Sequence, residues 1–255
     1  MKTQITRTVL ATLVLLLSIT ISGYAQITYS DVYLCGNVTA TLRPNVPTPT
    51  ILANGDKVHW FLDGSPLIVK TYDGTDASIQ ITVPTNLPVG EHKYTTIVET
   101  AAECMGDESE PFNIYKLPNK TLALTENRAT YCAEESNAIK DATITATTTI
   151  TPAAPALPAG IEYAYTWSVT KDGNAVSPGT ADNSNTATSA YTMNTTTAGT
   201  YIFHAKVKYV LNAAAMANGS VLKAEDTEGC EVEQTSTATV TVTPKPSKPT
   251  ITLVN

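Results

Sequence analysis

From about residue 28 onward, apolar and polar residues alternate with a period of two. "NVTATL" carries Val38, Ala40 and Leu42 on one side, "VHWFLDG" carries Val58, Trp60 and Leu62, and "ASIQITVP" carries Ile79, Ile81 and Val83. "YIFHAKVKYV" presents Tyr201, Phe203, Ala205, Val207 and Tyr209, and "TATVTVTP" presents Ala238, Val240 and Val242. A strand turns successive side chains to opposite faces, so this spacing in Thr-, Val-, Ile- and Tyr-rich segments predicts half-buried strands. Helical periodicity is missing. The nearest approach, "YVLNAAAMANGSVLKAED" from Tyr209 to Asp226, has room for a turn or two of helix. The pattern predicts an all-β protein.

The strands fall into two sets with the same landmarks. One set runs Cys35, Trp60, Gly90, Tyr94, Cys104; the other runs Cys132, Trp167, Gly199, Tyr201, Cys230. Trp and Tyr are 34 residues apart in both, and each Trp is followed by an Asp-Gly pair suited to a tight reversal, Asp63-Gly64 and Asp172-Gly173. Self-similarity at this period means tandem modules. The divisions expected are residues 26–117 and 118–246, joined through "YKLPNKTLALTEN". The final "PSKPTITLVN" is similar to "PNKTLALTEN" at the start of the second module, so 247–255 is expected to open a third module or form a tail.

At these residues the chain resembles the immunoglobulin-like fold. More narrowly it resembles the Ig-like and PKD-like repeats of exported Bacteroidetes surface proteins of the gliding and adhesin type. "VYLCGNVTATL" and "EGCEVEQTSTATVTV" carry that likeness, with a Cys before the second strand and a "GC" near the turn from the sixth strand to the seventh. The resemblance implies two tandem Ig-like β-sandwiches, with Trp60 and Trp167 filling the space between sheets. Tyr94 and Tyr201 would pin a corner at the head of the sixth strand.

In antibody-type domains the second Cys follows the corner Tyr by two residues; here Cys104 follows Tyr94 by ten and Cys230 follows Tyr201 by 29. An Ig-like order then places the early and late Cys of one module at opposite ends of a sandwich. A strand of about eight residues spans roughly 26 Å, whereas a disulfide needs Cα atoms within about 7 Å. Four cysteines in an exported chain suggest two disulfides. Two schemes stay open. Cys35–Cys104 and Cys132–Cys230 would close each module, or Cys35–Cys230 would cross the junction and leave Cys104 and Cys132 for neighbouring modules.

The first 25 residues stand apart. Lys2 and Arg7 precede the apolar run from Val9 to Ile21, and Gly23-Tyr24-Ala25 offers small residues where a signal peptidase reads. Cleavage after Ala25, and a secreted or cell-surface location, are the expectation; the apolar run is too short for a retained membrane helix. The formal net charge of −7 becomes −9 once Lys2 and Arg7 leave. Basic clusters are lacking, which excludes the electrostatic footprint of a nucleic-acid binder.

Candidate chemistry is sparse. His59, His92 and His204 share no metal-ligand spacing, and His59 and His204 are expected to face outward. Nucleophile-elbow, phosphate-loop and C-x-x-C motifs are all missing, so no catalytic residue and no cofactor are predicted. Oxygen-rich loops at Asp73–Asp76, Glu103–Glu110 and Asp182–Asn185 are read as solvated turns, with calcium as the alternative. The long excursion after Tyr209 is read as packing on the linker or on the first module, with ligand recognition as its alternative. These readings converge on a non-enzymatic adhesion or stalk module that binds a protein or glycan, next to further Ig-like modules. The alternative is a carbohydrate-binding or ancillary part of a larger secreted enzyme, for which Tyr72, Tyr163, Tyr165 and Tyr191 are the candidate platform.

Overall fold

In a computed structural model describing residues 28–45, 52–133, 141–153, 156–227 and 229–253, the period-two segments form strands over part of their length with most of their apolar residues inward, and Asp76–Ile79 is instead a turn of 3-10 helix. Tyr201, Phe203, Ala205, Val207 and Tyr209 are buried along one face of a single strand, and Ala238, Val240 and Val242 are buried on the next. The leader segment lies outside the described residues.

The first module contains β1 (Val32–Cys35), β2 (Thr41–Leu42), β3 (Lys57–Leu62), β4 (Ser65–Thr71), β5 (Ile81–Thr82), β6 (Gly90–Glu99) and β7 (Phe112–Lys116). One sheet has the order β1-β7-β6-β3-β4, with β1 parallel to β7 and the other pairs antiparallel. The pair β2–β5 forms the other sheet. Val58, Trp60, Ile79, Ile81, Val83, Tyr94 and Ile114 belong to the core of this module.

The second module contains β8 (Asn119–Glu126), β9 (Thr130–Cys132), β10 (Asp141–Thr151), β11 (Ile161–Lys171), β12 (Asn174–Val176), β13 (Gly179–Ala181), β14 (Thr188–Asn194) and β15 (Gly199–Leu211). After them come a short helix α1 (Ala213–Ala217), β16 (Val221–Ala224), β17 (Val232–Glu233) and β18 (Ala238–Thr243). Its two sheets have the orders β13-β14-β10-β8 and β12-β11-β15-β18-β9. Again the short strand before the second long one, β9, runs parallel to the last, β18. Two sheets holding the first, second, fourth and fifth strands against the third, sixth and seventh make an immunoglobulin-like sandwich.

Ladder register aligns the modules residue by residue. Trp60 pairs with Thr96, six residues after Gly90, and Trp167 pairs with Ala205, six residues after Gly199. Gly90 is therefore the counterpart of Gly199, His92 of Tyr201, and Tyr94 of Phe203. The equal Trp-to-Tyr spacing misleads by two residues. The Tyr201 hydroxyl donates to the Thr197 carbonyl at 2.9 Å and pins its corner as expected. Tyr94 instead points into the core, and its hydroxyl has no partner among the described residues. The first module's corner is held by His92, whose Nε2 meets the Pro88 carbonyl at 2.9 Å. His92 is accordingly buried, at 8% exposure.

Candidate functional site at the module junction

"VYLC" does not alternate: four consecutive residues are buried. Val32 and Leu34 enter the first module's core, while Tyr33 and Cys35 enter the core cluster of the second. A strand covered on both faces reads as a continuous apolar run, and that signal was available in the sequence. What covers β1 is the excursion after Tyr209. Its strand β16 adds parallel to β1 in the register Val32–Val221 through Cys35–Ala224, extending the first module's sheet with a strand from the second. The packing expectation for this segment therefore applies; it is an interdomain clamp.

The excursion is built from local chemistry. Asn212 caps α1 by accepting from the Ala215 amide at 2.8 Å, satisfying an amide the helix leaves open. The turn after α1 delivers Ser220, whose hydroxyl donates to the Ser30 carbonyl at 2.7 Å, and Val221, whose amide donates to the Asp31 carbonyl at 3.0 Å. On the other side of β1 the Tyr33 hydroxyl donates to the Ala159 carbonyl. Gly160 next to it has φ +94°, and a Cβ there would stand 2.7 Å from the Tyr33 oxygen and 2.8 Å from the Ala215 Cβ. Burial raises the Tyr33 hydroxyl's pKa above the ordinary tyrosine value, keeping it a neutral donor.

The junction is closed covalently by Cys35–Cys230, with Cα atoms 6.1 Å apart. The intramodule scheme, Cys35–Cys104 with Cys132–Cys230, is not formed: the two cysteines of each module lie at opposite ends of their sandwich. Cys104 and Cys132 are exposed thiols, so one disulfide forms rather than two. Next to the bridge, Gly36 (φ +68°) admits the Glu225 side chain, whose Oε2 a Cβ would meet at 2.7 Å. That carboxylate accepts the Asn37 amide at 3.0 Å.

A buried cation completes the junction. Lys120 donates to the Cys230 carbonyl, and its Nζ lies 3.9 Å over the Tyr209 ring. Burial pushes the Lys120 ammonium down to about 8, against the attraction of Asp226 and Glu231. The Tyr209 hydroxyl donates to the Pro118 carbonyl at 3.1 Å, and its ring stacks on Tyr163 at 5.6 Å. Lys120, Tyr209, Glu225, Asp226, Cys230 and Glu231 thus surround one recess of about 460 Å³.

Elsewhere the expected features separate. His59 contacts Glu99 at 2.6 Å, and the Lys57 and His59 contacts hold that carboxyl below its ordinary value. His204 Nδ1 meets the Gln234 amide at 2.9 Å. Asp73 accepts from Thr75, and Asp182 from Ser189 and Ala190, so these carboxylates are engaged in turns. Among the described residues, no group of three or more His, Cys, Asp or Glu is placed to hold a metal ion. Tyr163 and Tyr191 are buried, so the four tyrosines form no exposed platform. Sequence reasoning missed a cleft of about 490 Å³ in the first module, bounded by Leu42, Arg43, Trp60, Tyr94, Glu110 and Phe112. The Tyr94 hydroxyl lies in its wall.

No protein-family model matches the chain, and no curated protein matches it. Among solved structures it is similar to the fibronectin(III)-like modules of Clostridium thermocellum CbhA, at 12% identity, over 87% of this chain and 93% of that one, with TM-score 0.40. It is similar also to Sidekick-1 immunoglobulin domains 1–4, at 14% identity over 84% and 47%, with TM-score 0.39. A third is invasin, described as a bacterial integrin-binding protein, at 15% identity over 82% and 36%, with TM-score 0.29. This chain thus spans less than half the length of the last two. No helix among the described residues is long and apolar enough to cross a membrane.

Proposed function

We propose that this chain is a non-enzymatic, load-bearing spacer and adhesion module of a secreted or surface-attached bacterial protein. The observation that carries the reading is the Cys35–Cys230 bridge, which encloses 195 residues and spans the junction of two sandwiches. Tension applied between the ends reaches Cys35, crosses the sulfur–sulfur bond and leaves after Cys230. Everything between lies off the load path. Strand addition by β16 resists shear at the same junction, and the apolar residues Tyr33 and Leu117 pack into the second module's core. A spacer that sets reach and lets weak contacts add by repetition needs these properties. The Ig-like bacterial repeat pattern at Cys35, Trp60 and Cys230, and the predicted leader, support the surface location.

Single-molecule pulling from the two ends tests this. Oxidised chain is expected to lengthen only by the short segments outside the bridge. Reduction is expected to release roughly 650 Å more, at about 3.3–3.6 Å per residue. An oxidised chain that gives the long increment would overturn the reading.

The cleft in the first module favours a second reading, capture of a small polar ligand such as a glycan end. Among the described residues its buried hydroxyl lacks a partner, and Trp60, Tyr94 and Phe112 stand in its walls, a combination common in ligand sites. Titration of Trp60 fluorescence with a glycan panel is expected to give a saturable change that Tyr94→Phe weakens. Wild-type behaviour of that variant, or no response to any glycan, removes this reading.

A further inference from the structure

One free thiol holds the register of a bonded cysteine, and the other stands one residue from the register of that cysteine's partner. Leu34 pairs with Lys116, which pairs with Gly90; Tyr131 pairs with Val242, which pairs with Gly199. Since Gly90 and Gly199 are counterparts, Leu34 corresponds to Tyr131, and the next residue, Cys35, corresponds to Cys132. Both cysteines end the strand that runs parallel to the closing strand of their module. Cys35 is bonded; Cys132 is exposed, with the Thr243 hydroxyl donating to its Sγ at 3.4 Å.

The other thiol stands one residue short of the matching place. In the second module the Tyr209 amide donates to the Gly229 carbonyl, the Gln234 amide donates to the Ala205 carbonyl, and the Ala205 amide donates to Gln234 Oε1. In the first module the Thr100 amide donates to the Cys104 carbonyl, the Ser109 amide to the Thr96 carbonyl, and the Thr96 amide to Ser109 Oγ. Thr100 corresponds to Tyr209 and Thr96 to Ala205 by ladder position. Cys104 therefore stands at the place of Gly229, next to that of Cys230, on the same returning segment. The first module merely lacks the inserted α1 and β16.

Strand directions complete the picture. β1 and β7 both run toward the junction, so Cys104, in the loop between β6 and β7, lies at the far end of the first module. β9 and β18 both run away from the junction, so Cys132 lies at the far end of the second. The chain carries a donor end and an acceptor end of one repeating joint. At the formed joint, acids of the excursion (Glu225, Asp226, Glu231) face Lys120 at the start of the second module.

We propose that copies of this chain join head to tail, Cys132 of one copy forming a disulfide with Cys104 of the next in the place that Cys35–Cys230 occupies within the chain. This rests on the spacer reading and extends it from one chain to a fibre. The two thiols lose two protons and two electrons to a small disulfide such as oxidised glutathione, which leaves as two thiols. Among the described residues β9 is an edge strand, so the joint also offers backbone pairing.

The test is oxidation of the full chain in a glutathione redox buffer, followed by non-reducing electrophoresis and peptide mapping. The wild type is expected to give a ladder of covalent multimers that reductant collapses, with a Cys104–Cys132 linked peptide. Cys104→Ser and Cys132→Ser, both at exposed positions, are each expected to lose every species above monomer. A mixture of the two variants is expected to give one heterodimer and nothing larger. Dimers of Cys104→Ser alone, which would be symmetric Cys132–Cys132 links, would overturn the proposal. So would a wild type that stays monomeric while its Cys35–Cys230 peptide is fully oxidised. Pulling on the double variant, which keeps Cys35–Cys230, tests the spacer reading separately, so the two can fail independently.

Discussion

His92 and Tyr201 occupy the same register in the two modules and do the same task with different chemistry. Each bonds a carbonyl four residues upstream, Pro88 and Thr197, across the corner that leads into the sixth strand. His92 adds a second contact that Tyr201 lacks: its Nδ1 lies 3.1 Å from Asp63, in the Asp-Gly turn below. Asp63 also accepts the Lys93 amide at 2.8 Å. The first module thus ties its turn to its corner through a titratable carboxylate.

This arrangement predicts an acid-sensitive first module. Burial opposes ionisation of Asp63, but the Lys93 amide and the His92 ring outweigh it and hold its carboxyl below the ordinary value. A carboxylate whose folded pKa is depressed contributes stability above its unfolded pKa, and loses it as pH falls through the folded one. Stability followed by near-ultraviolet circular dichroism is expected to fall below about pH 4. Asp63→Asn, which tolerates the positive φ of 51° at that position, is expected to flatten part of this fall. In the second module Tyr201→Phe is expected to cost about 1 kcal/mol with no such pH dependence.

The sandwich class was legible because alternation is a local property. Val58, Trp60, Tyr201, Phe203 and Val240 could be assigned inward from period alone, and the tandem repeat followed from spacing. The corner was misread because an equal Trp-to-Tyr interval in two modules is a coincidence of composition. Only the ladder shows that Tyr94 aligns with Phe203. The disulfide had two open schemes because pairing depends on which ends of the modules meet. The clamp was harder still: β16 gains its partner from β1, 189 residues away in the pair Val32–Val221, and no local pattern announces parallel addition to a distant edge.

Lys120 predicts a second pH dependence, of opposite sign. Burial lowers its folded pKa to about 8, whereas in the unfolded chain a lysine titrates near 10.4. Between those values the unfolded state binds the extra proton, so stability rises with pH. A gain on the order of 1 kcal/mol between pH 8 and 9.5 is expected in thermal melts, ahead of tyrosine ionisation. Lys120→Met is expected to abolish the rise and to be near neutral at pH 7, since it replaces a buried charge with an apolar stem of similar length.

Gly36 predicts how tightly the joint is fitted. Alanine there would suffer at φ +68° and would drive its Cβ against Glu225. Gly36→Ala is expected to cost more than 1 kcal/mol and to weaken the β1–β16 pairing. Hydrogen exchange of the Val221 amide, which donates to Asp31, is expected to accelerate at least tenfold. Gly64, with open space around its Cβ position, is the control for strain without collision.

Removal of the bridge separates its two roles, restraint of the unfolded chain and closure of the joint. Chain entropy alone assigns about 5 kcal/mol to a loop of 195 residues, near the upper end of what disulfides contribute. Cys35→Ser with Cys230→Ser is therefore expected to lose several kcal/mol in denaturant titration. If β16 addition and the Tyr33 packing hold the joint by themselves, the surviving fold will still melt in one transition. Small-angle scattering will then give an unchanged radius of gyration. If the bridge is what holds the joint, two transitions will appear, one per module, and the radius of gyration will grow. The shared core residues Tyr33 and Leu117 favour the first outcome, because truncating a buried aromatic ring to alanine costs about 3–5 kcal/mol by itself. Tyr33→Ala in the bridge-free chain is then the variant expected to uncouple the modules.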